Sequence, residues 1–211
     1  MDEATARKWD RAAQSFDLMN GVGSEKRWGP VKRAMFARMQ GEVLFLAVGT
    51  GLDIALFPPG QHITGIDIST EMLKRAEPRA QAYPGHMSVQ RQDVLELDFA
   101  DERFDQVFTS CTFCSVPRPV DGLRQLLRVL KPGGELHMFE HTGSKVFPFR
   151  QVMDWMTYLT RNFGPDMNRD TVANVEAAGF LIERVRNVYL DVVKTIHARK
   201  PDATARQGNP R

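Results

Sequence analysis

Residues Val43-Leu44-Phe45-Leu46-Ala47-Val48-Gly49-Thr50-Gly51 run from an apolar strand directly into a glycine bend. Sixteen residues beyond Gly51, the run Ile63-Thr64-Gly65-Ile66-Asp67-Ile68-Ser69 ends a second strand on a carboxylate. Glycines at such a bend let the backbone pass close to a ligand, and the N-terminus of a following helix favours a negative group. In open α/β sheets, ligands sit outside the carboxyl ends of the strands. The bend alone is equally well a plain structural turn. Asp67 makes it more informative: a carboxylate there can accept both hydroxyls of a ribose, and burying it without partners would be costly. Its structural alternative is a helix N-cap.

Working outward, short apolar runs alternate with helical segments. Strands are expected at Val43–Val48, His62–Asp67, Ser88–Gln92, Phe104–Ser110, Gly134–Glu140, Leu181–Val188 and Val192–Ala198. Helices are expected at Asp53–Phe57, Thr70–Ala82, Val120–Leu130, Gln151–Phe163 and Thr171–Ala178, with Ser69 or Thr70 as one cap and Gly179 as a stop. This alternation predicts a doubly wound, Rossmann-like α/β fold: a seven-stranded, mostly parallel sheet with helices on both faces. Before it, residues 1–40 read as helical. Trp9, Ala12, Ala13 and Phe16 recur at helical spacing, Gly21 and Gly23 interrupt, and a second helix is expected near Val31–Met39. The predicted organisation is therefore a helical segment 1–40, an α/β domain 41–200 and a polar, disordered tail 201–211.

Composition narrows the function classes. A chain of 211 residues suits one domain burying about 70% of its unfolded surface. Lys plus Arg number 28 against 26 for Asp plus Glu, a net charge of +2, so no strong field favours nucleic acid and no such partner is expected. No stretch approaches the roughly 20 apolar residues that span a bilayer. The start, MDEATARKWD, lacks a signal-peptide core. Cys111 and Cys114 cannot build a disulfide framework, so a cytoplasmic protein with reduced thiols is expected.

Two further elements extend the constellation. Asp93 ends the third predicted strand, where it can accept from an adenine amino group or serve as a turn aspartate. Ile68 and Met72 can face an adenine ring or belong to the core. The phrase Leu126-Leu127-Arg128-Val129-Leu130-Lys131-Pro132-Gly133-Gly134-Glu135-Leu136 ends a helix, turns on Pro-Gly-Gly and starts a strand.

The ordered set, VGTGLD, GIDIS, FDQVFTS and RVLKPGGELHMFEH, resembles the class I methyltransferase superfamily over roughly residues 5–200, in particular its ubiquinone/menaquinone C-methyltransferase-like branch. The resemblance implies that domain 41–200 binds S-adenosylmethionine across Ala47, Gly49, Thr50, Gly51, Asp67, Ile68, Met72, Asp93 and Val94, with Thr109, Ser110 and Cys111 near the methionine end. It also implies that segment 1–40 folds over the cofactor as a lid. The pattern departs from the family at Phe45 and Ala47, near where relatives carry an acidic residue two positions before the first loop glycine; Phe45 removes a carboxylate that organises the methionyl end. In the stretch Trp9-Asp10…Phe16-Asp17, Trp and Phe replace the tyrosines of the family's aromatic–Asp repeat. Those rings can attract a sulfonium by about 0.5–2 kcal/mol or simply pack a core. Arg27 and Arg33 are candidates for the methionyl carboxylate.

Methyl transfer is an in-line displacement from sulfur, for which the protein chiefly positions the reactants and excludes water. A base is needed only for a protonated acceptor. Glu140 and His141 end the fifth predicted strand, and His141 is the expected base with Glu140 orienting it or touching the acceptor; a His capping a strand end is the alternative. The Cys-x-x-Cys spacing lacks the second ligand pair of a zinc site, so no metal is expected. Phe149, Val152, Trp155, Met156, Leu159 and Phe163 spread over an apolar face suited to the core, a greasy ligand or a membrane surface.

The segments CSVPRP, FEHTG, NRDTVANVEAAGF and KTIHARK are similar to a lineage containing membrane-associated alkyl-thiol methyltransferases, with phosphatidylethanolamine and quinone-precursor methyltransferases in related branches. The expectation is thus a monomeric or homodimeric methyltransferase, cytoplasmic and compatible with peripheral membrane contact. Its acceptor would be small and lipophilic: a thiol, a phospholipid amine or a quinone precursor. One rival is a nicotinamide-dependent reductase, disfavoured because Gly49-Thr50-Gly51-Leu52-Asp53 lacks the third glycine of G-x-G-x-x-G. The other is a non-catalytic S-adenosylmethionine-binding module.

Overall fold

The run of buried Val43, Leu44, Phe45 and Leu46 makes β1 (Glu42–Leu46) a strand covered on both faces, as central parallel strands are. A computed structural model describes residues 1–20, 22–144, 146–147, 150–151, 155 and 168–202. Among these residues, seven strands form one sheet in the order β3-β2-β1-β4-β5-β7-β6. The chain divides into two units, Met1–Asp98 with Phe104–Phe108, and Phe99–Arg103 with Thr109–Arg211.

In the first unit, α1 (Glu3–Asn20) and α2 (Val22–Phe36) precede β1, a 3-10 turn (Leu52–Leu56), β2 (His62–Asp67), α3 (Thr70–Gln81), β3 (His86–Arg91) and the greater part of β4 (Phe104–Ser110). β1 pairs β2, and β2 pairs β3, in parallel, with Leu46 opposite Ile66 and Asp67 opposite Arg91. The core here is an aromatic cluster: Phe36 lies 5.6 Å from Phe45, 4.9 Å from Phe57 and 6.1 Å from Phe108 between ring centroids. Phe45, at 1% exposure, is part of that cluster, which explains the missing carboxylate: the position is spent on packing. Burying each such ring contributes about 1.5–3 kcal/mol.

Two expectations need correction in this unit. The second helix begins at Val22, not Val31, because Gly23, Gly29 and Pro30 are all carried inside it. The element expected as a helix at Asp53–Phe57 is a single 3-10 turn, Leu52–Leu56, entered from Gly51 at φ 85°. A Cβ on Gly51 would lie 2.9 Å from Ile54 Cδ1 and 3.2 Å from Ala76 Cα. Strain and collision act together there, so Gly51→Ala should cost about 1–3 kcal/mol of stability. An unchanged urea midpoint would show that the bend relaxes.

The second unit holds α4 (Pro119–Val129), β5 (Leu130–His141), α5 (Thr171–Ala178), β6 (Leu181–Tyr189) and β7 (Val193–Arg199). Leu123, Leu126 and Val129 of α4 and Leu136 and Met138 of β5 are fully buried. β5 pairs β7, and β7 pairs β6, antiparallel. Asp170 caps α5 by accepting from Ala173 N at 3.1 Å, and Gly179 ends it at φ 102°. β5 starts at Leu130 rather than Gly134. The Pro-Gly-Gly turn lies inside the strand because Gly133 N and Gly134 O pair with Lys200 across it, and Gly133 takes up the bend at φ 71°. Of the expected helix Gln151–Phe163, only Gln151 and Trp155 are described, and both are helical; the rest lies outside the described residues, as does the tail beyond Asp202.

Candidate active site

The bend after β1 is built by three left-handed residues, Ala47 at φ 55°, Gly49 at 58° and Gly51 at 85°. It is closed by Val48 N donating to Ile66 O at 3.0 Å and Gly51 N to Val48 O at 2.9 Å. Asp67, at the end of β2, ties itself to this bend. Its Oδ2 accepts from Gly49 N at 2.8 Å and its Oδ1 from Ser69 N at 2.9 Å. The N-cap of α3 is Ser69, whose hydroxyl accepts from Met72 N at 3.1 Å, so Asp67 is not a cap. Burial pushes the Asp67 carboxyl up to about 6, against the backbone donors that favour its charged form. A carboxylate offers about four acceptor positions. A buried acid with capacity left beside a glycine bend fits a nucleoside diol.

The other members are placed as follows. Thr50 is fully buried and Gly49 half-buried. Ile68 is half-exposed, whereas Met72 at 1% exposure is core. Asp93 is 5% exposed; its Oδ2 accepts from Asp2 N at 2.8 Å and its Oδ1 from Leu95 N at 2.9 Å, with Val94 buried beside it. Asp93 is thus a turn aspartate that also receives the start of the chain.

Helix α1 crosses all three strand-end loops, and its acids tie it to two of them while the N-terminal Asp2 N donates to Asp93 in the third. The face made of Ala6, Asp10, Ala13 and Asp17 repeats every three or four residues. Ala6 and Ala13 are buried at 1% and 0% exposure. Asp10 Oδ1 accepts from the Ser69 hydroxyl at 2.6 Å and from Glu71 N at 3.1 Å, at the N-terminus of α3 where an anion is favoured. The Ser69 hydroxyl holds the Asp10 carboxyl below its ordinary value. Asp17 accepts from Thr50 Oγ1 at 2.5 Å and from Arg79 at 2.7 Å, while Arg79 also donates to Thr50 O at 2.5 Å. Burial acts to raise the Asp17 carboxyl, and these donors more than reverse it. Trp9 and Phe16 meet edge to face at 6.4 Å, and Phe16 approaches the Gly49 Cβ position to 4.0 Å. The signal that could have found Asp10 and Asp17 was the seven-residue repeat itself. Arg27, stacked on Trp28, and Arg33 are both exposed, and the cations held near the bend are instead Arg79, on Thr50 O, and Lys32, 2.9 Å from Asp53.

In the second unit, Glu140 is completely buried and saturated with donors. It accepts from Thr109 Oγ1 at 2.7 Å, from Thr112 N at 3.0 and 3.1 Å and from Phe113 N at 3.1 Å. The loop after β4 is therefore wound around this carboxylate, with Ser110 half-buried and Cys111 exposed at φ 53°. Glu140 positions that loop and has no surface on which to touch an acceptor. His141 is half-buried; burial, then the Lys194 charge, lowers its imidazole below the ordinary value, so it is neutral at pH 7. Its Nδ1 is buried with no hydrogen-bond partner among the described residues. Burial, with Glu140 close by, pushes the Cys114 thiol up to about 12, so Cys114 is a protonated, unreactive thiol at neutral pH. A separate cleft lined by Glu42, His62, Thr64 and His86 opens at the starts of β1, β2 and β3, the opposite strand ends from the bend.

Known proteins agree with this geometry. A family model described as a methyltransferase domain matches residues 44–138. A phosphatidylethanolamine N-methyltransferase of Cereibacter sphaeroides is 37% identical over 71% of this chain and 74% of its own length. The ubiquinone/menaquinone biosynthesis C-methyltransferase UbiE of Geotalea daltonii is 31% identical over 71% of this chain and 68% of its own. Among solved structures, an S-adenosylmethionine-dependent methyltransferase from Aquifex aeolicus superposes with a TM-score of 0.65 at 18% identity, covering 89% of this chain and 98% of that one, a likeness of fold. The reductase and the non-catalytic binding module both give way to these matches. By these identities and this fold, the chain belongs to the class I S-adenosylmethionine-dependent methyltransferases, in their ubiquinone/menaquinone C-methyltransferase-like branch.

Proposed function

We propose that this methyltransferase delivers its methyl group to a small lipophilic acceptor. The observation that carries the reading is the segment after β5, where Val146, Phe147 and Trp155 are 52%, 78% and 65% exposed. Large apolar side chains exposed on one stretch of chain are the kind that an apolar ligand or surface covers. The relatives named for phosphatidylethanolamine and for ubiquinone/menaquinone biosynthesis support the same class of acceptor. No helix among the described residues is long and apolar enough to cross a membrane.

S-Adenosylmethionine supplies an electrophilic methyl on a sulfonium. The residues we assign to its adenosine are Ala47, Gly49, Thr50, Gly51, Asp67, Ile68 and Val94, with Asp67 taking the diol. Asp93 and Met72 are left to structure, and Thr109, Ser110 and Cys111 form a loop that Glu140 holds in shape. The neutral His141, its Nδ1 unpartnered, takes the proton released when a thiol, amine or ring carbon becomes methylated. His141→Ala should lower turnover roughly 100-fold, with S-adenosylhomocysteine affinity unchanged. An unaltered pH–rate profile would remove it as the base.

The acceptor class is tested by offering a long-chain thiol, phosphatidylethanolamine vesicles and a demethylquinone, beside hydrophilic thiols and catechols, with product mass as readout. Methylation of the hydrophilic acceptors alone would overturn the reading.

A further inference from the structure

At the far end of β5 from His141, the antiparallel register sets His137 directly opposite His197 and Glu135 opposite Arg199. Residues two apart share a face of a strand, so Glu135 and His137 present their side chains together. The two imidazoles stack at 4.4 Å with an interplanar angle of 10°. Glu135 stands between their Nε2 atoms, 3.0 Å from that of His137 and 3.5 Å from that of His197. One donor atom from each residue lies within 4.8 Å of both others. His137 is 2% exposed, and His197 Nε2 is out of solvent contact without a hydrogen-bond partner among the described residues. The other ring nitrogen of His197 is spoken for: Glu183 Oε2 is 3.2 Å from Nδ1, at the irregularity in β6 between Ile182 and Arg184. Arg199 in turn holds Glu183 at 3.1 Å.

We propose that Glu135, His137 and His197 bind one divalent transition-metal ion of the zinc class. Two imidazole nitrogens and one carboxylate oxygen, with a fourth position for water, form the donor set such ions take. Metal–ligand distances of about 2.0–2.2 Å in a tetrahedron require donors roughly 3.3–3.5 Å apart. The two carboxylate–imidazole separations are close to that range, and loading requires one of the stacked rings to turn out of parallel so that both Nε2 lone pairs meet at the ion. Hard cations such as Ca²⁺ and Mg²⁺ prefer all-oxygen shells and are disfavoured. Glu183 supplies the outer carboxylate that fixes the tautomer and aim of a ligating histidine. A hydrogen-bonded ion pair alone would leave the buried His197 Nε2 unused. Glu135 lies five residues from Glu140, about 17 Å along an extended strand. The ion therefore takes no part in methyl transfer, and it fastens β5 to β7, with β6 held through Glu183.

The test titrates Zn²⁺ into tag-free, chelator-dialysed full-length protein against a chromophoric chelator. One equivalent should bind, with a rise in Tm on loading. His137→Gln and His197→Gln should each weaken binding by more than about a hundredfold, and Glu183→Gln by about 10–100-fold. The double variant Cys111→Ser/Cys114→Ser should bind as the parent does. Retained S-adenosylhomocysteine affinity shows that each histidine variant is folded; should both fail that check, Glu183→Gln decides. No competition by the parent protein, affinity unmoved by the substitutions, or loss confined to the cysteine variant would each overturn the site.

Discussion

Asp67→Ala should weaken S-adenosylhomocysteine binding by about 1–3 kcal/mol, roughly 5- to 150-fold, and lower stability at the same time. The two losses have separate origins. Affinity falls because the diol loses a charged acceptor. Stability falls because Gly49 N and Ser69 N, which the carboxylate now satisfies, are left without it in the interior. The acid also brings a pH dependence. Burial raises it from 3.8 to about 6, so between those values the folded chain keeps a proton that the unfolded chain has given up. That preference favours folding on the acid side and is lost as pH rises through about 6. Ligand binding runs the other way, since a diol donates best to the ionised form. Affinity should be flat above pH 7 and fall by up to about tenfold per unit below pH 6, while Asp67→Asn should be flat throughout. Isothermal titration across this range is the measurement, and a level profile in the parent protein would move the ribose elsewhere.

Glu140→Ala should cost about 3 kcal/mol or more, a fall in Tm of roughly 6–12 °C for a chain of this size. The Thr109 hydroxyl and the amides of Thr112 and Phe113 would be left buried without their acceptor. Glu140→Gln keeps the volume but turns an amide donor toward donors, so it should recover only part of the loss. Thermal melts distinguish this role from direct participation in transfer. A variant that melts like the parent but turns over slowly would show that Glu140 touches the acceptor after all.

The alternation from Val43 onward made the order of strands and helices legible, because strand periodicity and cap residues are local signals. The place of Asp67 at the end of β2, beside the bend, was legible for the same reason: it stands where an apolar run stops. Phe45 was not, since its meaning depends on Phe36 and Phe57, distant in sequence and on other elements. Glu140 looked like a reactive group because a carboxylate at a strand end gives no hint of the donors that the preceding loop turns toward it. The start of α2 was misjudged by trusting Gly21 and Gly23 as breakers, since a single glycine lowers helix propensity by only about 1 kcal/mol and Gly23 is carried inside the helix. The pair His137 and His197 was invisible because sixty residues separate them and only antiparallel pairing brings them together.

The first helix meets α3 through methyl groups and carboxylates in alternation, Ala6, Asp10, Ala13 and Asp17, an interface with little grease in it. A slide of one turn is resisted, for a shift of four residues would set Ala6 and Ala13 against Ser69 and Arg79 and strand their donors. The two carboxylates therefore set the register in which α1 lies against the glycine bend and α3.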